Sequence, residues 1–150
     1  MTHVVGIDPG ETTGFAWFVG DQLSRAFAWP FSEFIAAPPF TERESMDVVI
    51  EMPKWRPHSH EEIDDLIGVA EKVGRIEQFY VMQRKRVRLV WPNIWKGSVP
   101  KAVHNERVLR ALRPAEVELL PRRPRSKKNP YDHNMVDAVG IGLWKLGRMR

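Results

Sequence analysis

Two periodicities alternate along this chain. Short β-branched runs end in an acid, a glycine or a proline, and longer segments repeat apolar residues at helical spacing. Residues 2–8 predict a first strand, whose apolar run (Val4, Val5, Ile7) carries Asp8 to its end before Pro9-Gly10 turns the backbone away. Residues 13–19 and 22–29 predict two more strands around Gly20-Asp21, a two-residue loop suited to a tight hairpin. Prolines at 30, 38 and 39 make residues 31–44 a loop with one helical turn. Residues 47–51 form a strand whose core (Val48, Val49, Ile50) reads as buried on both faces, again ending in an acid, Glu51.

The second half is mostly helical. Ser59 followed by Glu62 has the capping-box pattern, and Ile63, Leu66, Ile67, Ala70, Val73, Ile76 and Tyr80 recur at helical spacing to about residue 82. Gly68 and Gly74 on that helix would admit another backbone. Residues 88–91 predict a buried strand stopped by Pro92, and residues 100–112 a helix with Val103, Val108, Leu109 and Leu112 as its apolar stripe. A short strand over 117–120 and a basic, proline-broken loop over 121–130 precede a last helix, residues 132–146. Its apolar set is Met135, Val136, Val139, Leu143 and Leu146, and Ala138, Gly140 and Gly142 let it lie close to a sheet. The order implies an α/β fold, a mixed central sheet (antiparallel hairpin plus parallel strands) flanked by helices, in one domain over residues 1–150.

Composition adds little beyond exclusions. With 43% apolar and 28% charged residues the chain is globular in type. The absence of cysteine excludes disulfides and thiolate chemistry. No apolar run approaches the ~18 residues of a membrane helix, and the N-terminus lacks a signal-peptide pattern, so the expectation is no membrane association and a cytoplasmic protein. The net charge of +4 points weakly to an anionic partner.

The chemistry lies in three acids that interrupt apolar elements: Asp8, Glu51 and Asp137. Singly, an acid at a strand end is most simply a turn former or a solvated charge, and Asp8 is expected at the mouth of the sheet, free of core contacts. If the two strands are parallel neighbours, however, Asp8 and Glu51 stand side by side and repel each other unless a cation intervenes. Asn134 and His133 precede Asp137 by three and four residues on one helix face, and Asp132 suits an N-cap. Oxygen ligands without thiolates favour Mg²⁺ or Mn²⁺ over Zn²⁺.

Gly6-Ile7-Asp8-Pro9-Gly10 with Thr13-Gly14, Val49-Ile50-Glu51, and His133-Asn134-Met135-Val136-Asp137-Ala138 together resemble the motif set of RuvC-type Holliday junction resolvases, in order and spacing over nearly the whole chain. The resemblance implies a ribonuclease H-like fold and a Mg²⁺-dependent homodimeric endonuclease that nicks four-way DNA junctions symmetrically, with Mn²⁺ able to substitute. It maps Asp8, Glu51 and Asp137 onto metal-binding carboxylates. For the fourth group, His133 would bind metal or shuttle a proton on the attacking water, and Asn134 would instead ligate through its amide oxygen. The short interval between Asp8 and Glu51 fits a compact, phage-type member, which implies a bacterial or phage-infected cell. The helix over 60–82 corresponds to the family's dimer interface.

Basic residues fit that picture. Arg122, Arg123, Arg125, Lys127 and Lys128 lie just before the last helix, where a phosphate backbone would enter; such a run is ordinarily a solvated loop, but its place beside the acids favours DNA contact. The stretch from Trp95-Lys96-Gly97 through Lys101 is similar to a family segment whose basic residue faces the scissile phosphate, and a helix start there adds N–H groups. Trp55 and Arg56, after Glu51, would stack or wedge at an opened junction, or Trp55 merely covers the end of the sheet. Arg84-Lys85-Arg86 and Arg88 support neither reading. His58-Ser59-His60 lacks the second pair of a zinc site. Three competing readings remain: a YqgF-like nuclease for structured RNA, a phosphate-loop ATPase of the actin-like type, and a non-catalytic DNA binder.

Overall fold

The computed structural model describes residues 1–42, 44–54, 63–123 and 130–150. Five strands form one sheet: β1 (His3–Asp8), β2 (Thr12–Val19), β3 (Gln22–Pro30), β4 (Met46–Glu51) and β5 (Arg86–Val90). Their spatial order is β3-β2-β1-β4-β5. The hairpin turns at Gly20, whose φ of 60° suits glycine, so β1, β2 and β3 are antiparallel neighbours. Strand β4 then returns parallel to β1, and β5 parallel to β4. The mixed sheet expected from the sequence is present.

Side-chain alternation splits the core into two layers. Val5, Ile7, Phe15, Val48 and Ile50 face one way, onto α1 (Phe31–Ala36) and α2 (Ile63–Met82), which contribute Phe34, Val73, Ile76 and Tyr80. Val4, Ala16, Phe18 and Val49 face the other way, onto α6 (His133–Lys145) and α4 (Lys101–Ala111). Asp8 has the parity of Val4, and Glu51 that of Val49, so both acids emerge on the face covered by α6. The register Ile7↔Ile50 makes the two acids neighbours across the parallel pair.

Glycine lets α6 sit unusually close to this face. A Cβ at Gly6 would stand 2.2 Å from the Ala138 carbonyl oxygen, and one at Gly14 would stand 1.9 Å from that of Asn134. Gly142 in turn leaves room for the Phe18 ring. The interhelical end of the molecule is locked by Glu116, buried on α5 (Pro114–Val117), whose carboxylate accepts from Arg148, from the Leu23 N–H and from the Arg113 N–H.

Several expectations need correction. Residues 117–120 are not a strand: Val117 ends α5 and a turn follows, because Pro114 at the first helical position starts a helix instead. Residues 31–36 form a true helix, with Phe31 and Phe34 buried. Strand β5 starts at Arg86 and lies at the sheet edge, with only Val90 fully buried, so the run over 88–91 is no buried central strand. Pro92 does end it, by opening a four-residue helix, α3 (Pro92–Trp95). On α4, Val103 faces solvent and His104 takes its place beside Val108 on the buried face. On α2, Ile63 and Ile67 are exposed rather than part of the core; the space at Gly68 and Gly74 is open among the described residues, as the approach of a second subunit's backbone would require. The Ser59 to Glu62 cap falls outside the described residues.

Candidate active site

Asp8, Glu51 and Asp137 come from three elements and meet at the C-terminal ends of the parallel strands β1 and β4. Asp8 is buried, contrary to the expectation that it would be free of core contacts, because α6 lies over the end of β1. Asp137 lies one helical turn beyond His133 and is equally buried. Glu51 is partly buried. Asp132 caps α6, its carboxylate accepting the Asn134 N–H at 2.8 Å.

One ammonium links the acids. Lys96 Nζ lies 3.3 Å from Glu51 Oε2 and 3.4 Å from Asp137 Oδ2. Trp95 Nε1–H donates to Glu51 Oε2 at 2.6 Å. His104 Nε2 lies 3.4 Å from Asp137 Oδ1. Sequence reasoning misses Trp95 and His104 as site residues; the one signal is a histidine four residues before Val108 on an otherwise apolar stripe.

The proton affinities of the acids diverge. Burial, then the charges of Glu51 and Asp137, push the Asp8 carboxyl well above the usual carboxylate range, against the pull of Lys96 and Lys101. Glu51 is raised too, chiefly by burial, with Lys96 opposing. Burial acts the same way on Asp137, but its contacts with His104 and Lys96 outweigh it, and that carboxylate is held below its ordinary value. The cluster therefore lacks positive charge: Lys96 touches two of the acids and Lys101 acts at longer range, and Asp8, chiefly through its burial, bears the deficit.

A divalent cation would remove that deficit. The donors are hard oxygens with no thiolate among them, which fits Mg²⁺ or Mn²⁺, and Lys96 already occupies a cation's place between two of them. Among the described residues no three Asp, Glu or His side chains enclose one point as they now stand. Asp8, Glu51 and Asp137 are the residues that would hold such an ion.

The remaining candidates distribute unevenly. His133 heads α6 and is partly buried; burial and the Lys101 charge lower its proton affinity, which favours a neutral ring at neutral pH. Asn134 contributes its backbone, N–H to the Asp132 cap and carbonyl against Gly14. Lys101, the first residue of α4, and Lys96 line a cavity of about 270 Å³ with Gly97, Ser98, His104 and Asp137. Arg122 and Arg123 are exposed, but Arg123 also donates to the Tyr131 carbonyl at 3.1 Å and lies 3.9 Å from Asp132, so it braces the start of α6. Trp55, Arg56, Arg125, Lys127 and Lys128 lie outside the described residues, as do His58 and His60. Arg86 pairs with Asp47 at the far end of β4 and β5, and Arg88, midway along β5, lies over the Trp144 ring.

No family model matches the sequence, and neither does any curated protein. Solved structures do match. A Thermus thermophilus RuvC in complex with Holliday junction substrate superposes with a TM-score of 0.61 at 15% identity, covering 99% of this chain and 98% of that one. The chain has a RuvC-like fold. A second Thermus thermophilus RuvC structure gives a TM-score of 0.56 at 16% identity, with the same coverage. The RuvC-like, ribonuclease H-like architecture expected from the motifs is therefore present over nearly the whole chain, although so few residues are shared.

Proposed function

We propose that this protein is a Mg²⁺-dependent endonuclease that cuts branched DNA, four-way junctions above all, by paired symmetric nicks. The observation that carries this reading is the convergence of Asp8, Glu51 and Asp137 beside Lys96, with too little positive charge among them. The likeness to a RuvC that was solved with a Holliday junction supports the choice of substrate.

When bound, divalent ions activate water and stabilise the leaving oxygen of a phosphodiester. The chain's own residues do the rest. Asp8, Glu51 and Asp137 would hold the ions, and Asn134, on the same helix face, would offer an amide oxygen. His133, kept neutral by burial and by Lys101, takes a proton from the attacking water at its free imidazole nitrogen. Lys96 and Lys101 meet the phosphate at the cavity beside Asp137, and Arg122, Arg123, Arg125, Lys127 and Lys128 guide the backbone toward it. Trp55 and Arg56 stack at the opened junction centre.

Symmetric nicking requires two sites on a two-fold axis, hence a homodimer. Helix α2 suits that role, since it leaves Ile63, Ile67, Val81 and Met82 exposed. No helix among the described residues is long and apolar enough to cross a membrane.

The test is cleavage of a four-way junction, a Y-fork, a linear duplex and a structured RNA, with Mg²⁺ or Ca²⁺. Junction nicking with Mg²⁺, leaving 5′-phosphates, and binding without cutting in Ca²⁺ are expected. Cutting confined to RNA would transfer the same chemistry to RNA processing and sink the proposal for DNA.

A further inference from the structure

Two aromatic rings stand directly behind the acids. Trp95, at the end of α3, and His104, on α4, are both buried, at 2% and 3% exposure, and pack edge to face with centroids 4.9 Å apart and planes at 71°. Each ring directs a nitrogen at a different carboxylate: Trp95 Nε1 at Glu51 Oε2 and His104 Nε2 at Asp137 Oδ1. The two acids lie on separate elements, a strand end and a helix, so the ring pair spans the joint between them.

The Trp95 bond is short and closed. The His104 contact is not: at 3.4 Å it lacks the geometry of a hydrogen bond, and both ring nitrogens of His104 are buried without a hydrogen-bond partner among the described residues. Buried imidazoles ordinarily satisfy at least one nitrogen. His104 is one of the residues lining the cavity that Asp137, Lys96 and Lys101 also line. Room for the Trp95 ring comes from α6 itself, since a Cβ at Gly140, three residues beyond Asp137, would stand 2.6 Å from that ring and 2.9 Å from Val108.

We infer that Trp95 and His104 are positioning residues, a ring brace that aims the Glu51 and Asp137 carboxylates at a shared divalent cation, through the closed Trp95 bond to Glu51 and through a His104 N–H to Asp137 that closes when the cation binds. On ion binding His104 would take the Oδ1 side of Asp137 and leave Oδ2, the oxygen nearest Lys96, turned to the cation. The inference rests on the metal reading proposed above. Outer hydrogen-bond partners of this kind typically contribute 10- to 100-fold in metal affinity.

Mn²⁺ uptake without DNA, followed by the electron paramagnetic resonance of the free ion, tests it on three proteins. His104→Phe keeps the ring packing on Trp95 and loses the donor; it is expected to weaken Mn²⁺ by 10- to 100-fold. His104→Gln places an amide N–H near the Nε2 position and is expected to return the affinity to within a few-fold of the wild type. Equal Mn²⁺ affinity in His104→Phe and wild type overturns the inference while leaving the metal site standing, and so does a Gln variant that folds yet binds no better than Phe. No uptake by the wild type removes the metal reading and the brace together. Should His104→Phe fail to fold, ¹⁵N imidazole spectra of the wild type decide. The ring proton is expected on Nε2, its signal moving when diamagnetic Ca²⁺ is added; a proton on Nδ1 overturns the brace.

Discussion

Gly14 on β2 and Asn134 on α6 touch through their backbones, close enough that a Cβ on Gly14 would stand 1.9 Å from the Asn134 carbonyl oxygen and 2.9 Å from the Met135 nitrogen. Neither backbone can yield without moving its element, so this approach fixes the height of α6 above the sheet and with it the depth of Asp137. Gly14→Ala is expected to destabilise the fold by about 3 kcal/mol, the upper part of the usual range for overpacking. Its melting temperature should fall accordingly, and any folded fraction should bind divalent ions less tightly. A variant that melts like the wild type means α6 is not held there.

Lys96 is the cation of the metal-free protein. Lys96→Met leaves Glu51 and Asp137 facing each other without it. Because Lys96 is partly exposed, the loss should be below that of a fully buried pair, about 1–2 kcal/mol, or a fall of roughly 2–6 °C in Tm. Added Ca²⁺ should narrow the difference, since it supplies the missing charge. A deficit that Ca²⁺ leaves untouched would assign Lys96 to packing instead.

Asp8 carries a raised proton affinity, so ionising it works against the fold: the penalty is absent below the ordinary carboxylate range and grows as pH rises through that range toward the folded value. Asp8→Asn should therefore raise the Tm of the metal-free protein at pH 7 to 8, with the gain shrinking on acidification. The same variant should slow junction cutting by roughly 10²-fold or more, the scale of losing one electrostatic stabiliser, while binding persists. In the wild type, Mg²⁺ and a proton compete for Asp8, so ion affinity should weaken as pH falls. Normal cutting by Asp8→Asn refutes the metal site.

Glu116 shows the opposite shift. Burial opposes its charge, but Arg148 and the backbone N–H groups of Arg113 and Leu23 prevail and bring its pKa down to about 2. A depressed carboxyl stabilises the fold above its unfolded pKa and loses that contribution as pH falls toward the folded value. Glu116→Gln should cost on the order of 3 kcal/mol near neutral pH in urea unfolding, and the gap should close between pH 4.5 and 2. A pH-independent gap would mean that shape, not charge, matters at this clamp.

Charge reversal at Arg122 and Arg123 should weaken junction binding and reduce its salt slope, by about 0.9 for each phosphate no longer neutralised. Because Arg123 also braces α6, the double variant should lose some thermal stability, and Arg122 alone, whose guanidinium lies 5.9 Å from the Tyr131 ring centroid, should lose less. Unchanged affinity in both would leave these residues to solvent.

Much of the site is legible in the residues. Alternation along β1 and β4 puts Asp8 with Val4 and Glu51 with Val49, so two acids on one face follow from period two alone once the strands are parallel. The helical spacing of Met135, Val136, Val139 and Leu143, interrupted by Asp137, likewise marks the helix that covers them, and Asp132 is readable as its cap. The misreadings lie where local preference is weak: four residues at 117–120 with strand-like composition are the end of a proline-started helix and its turn, and Val103 yields the buried face of α4 to His104.

The strands, the acids at their ends and the helix carrying the third acid can be read from consecutive residues, because strand and helix periods are local properties. That Lys96, Trp95 and His104 meet those acids cannot be read that way. Lys96 reaches Asp137 across 41 residues of chain and Trp95 reaches Glu51 across 44, through the packing of α3 and α4 against α6. Contacts at such separation depend on how whole elements dock, and no propensity of the residues between them encodes that.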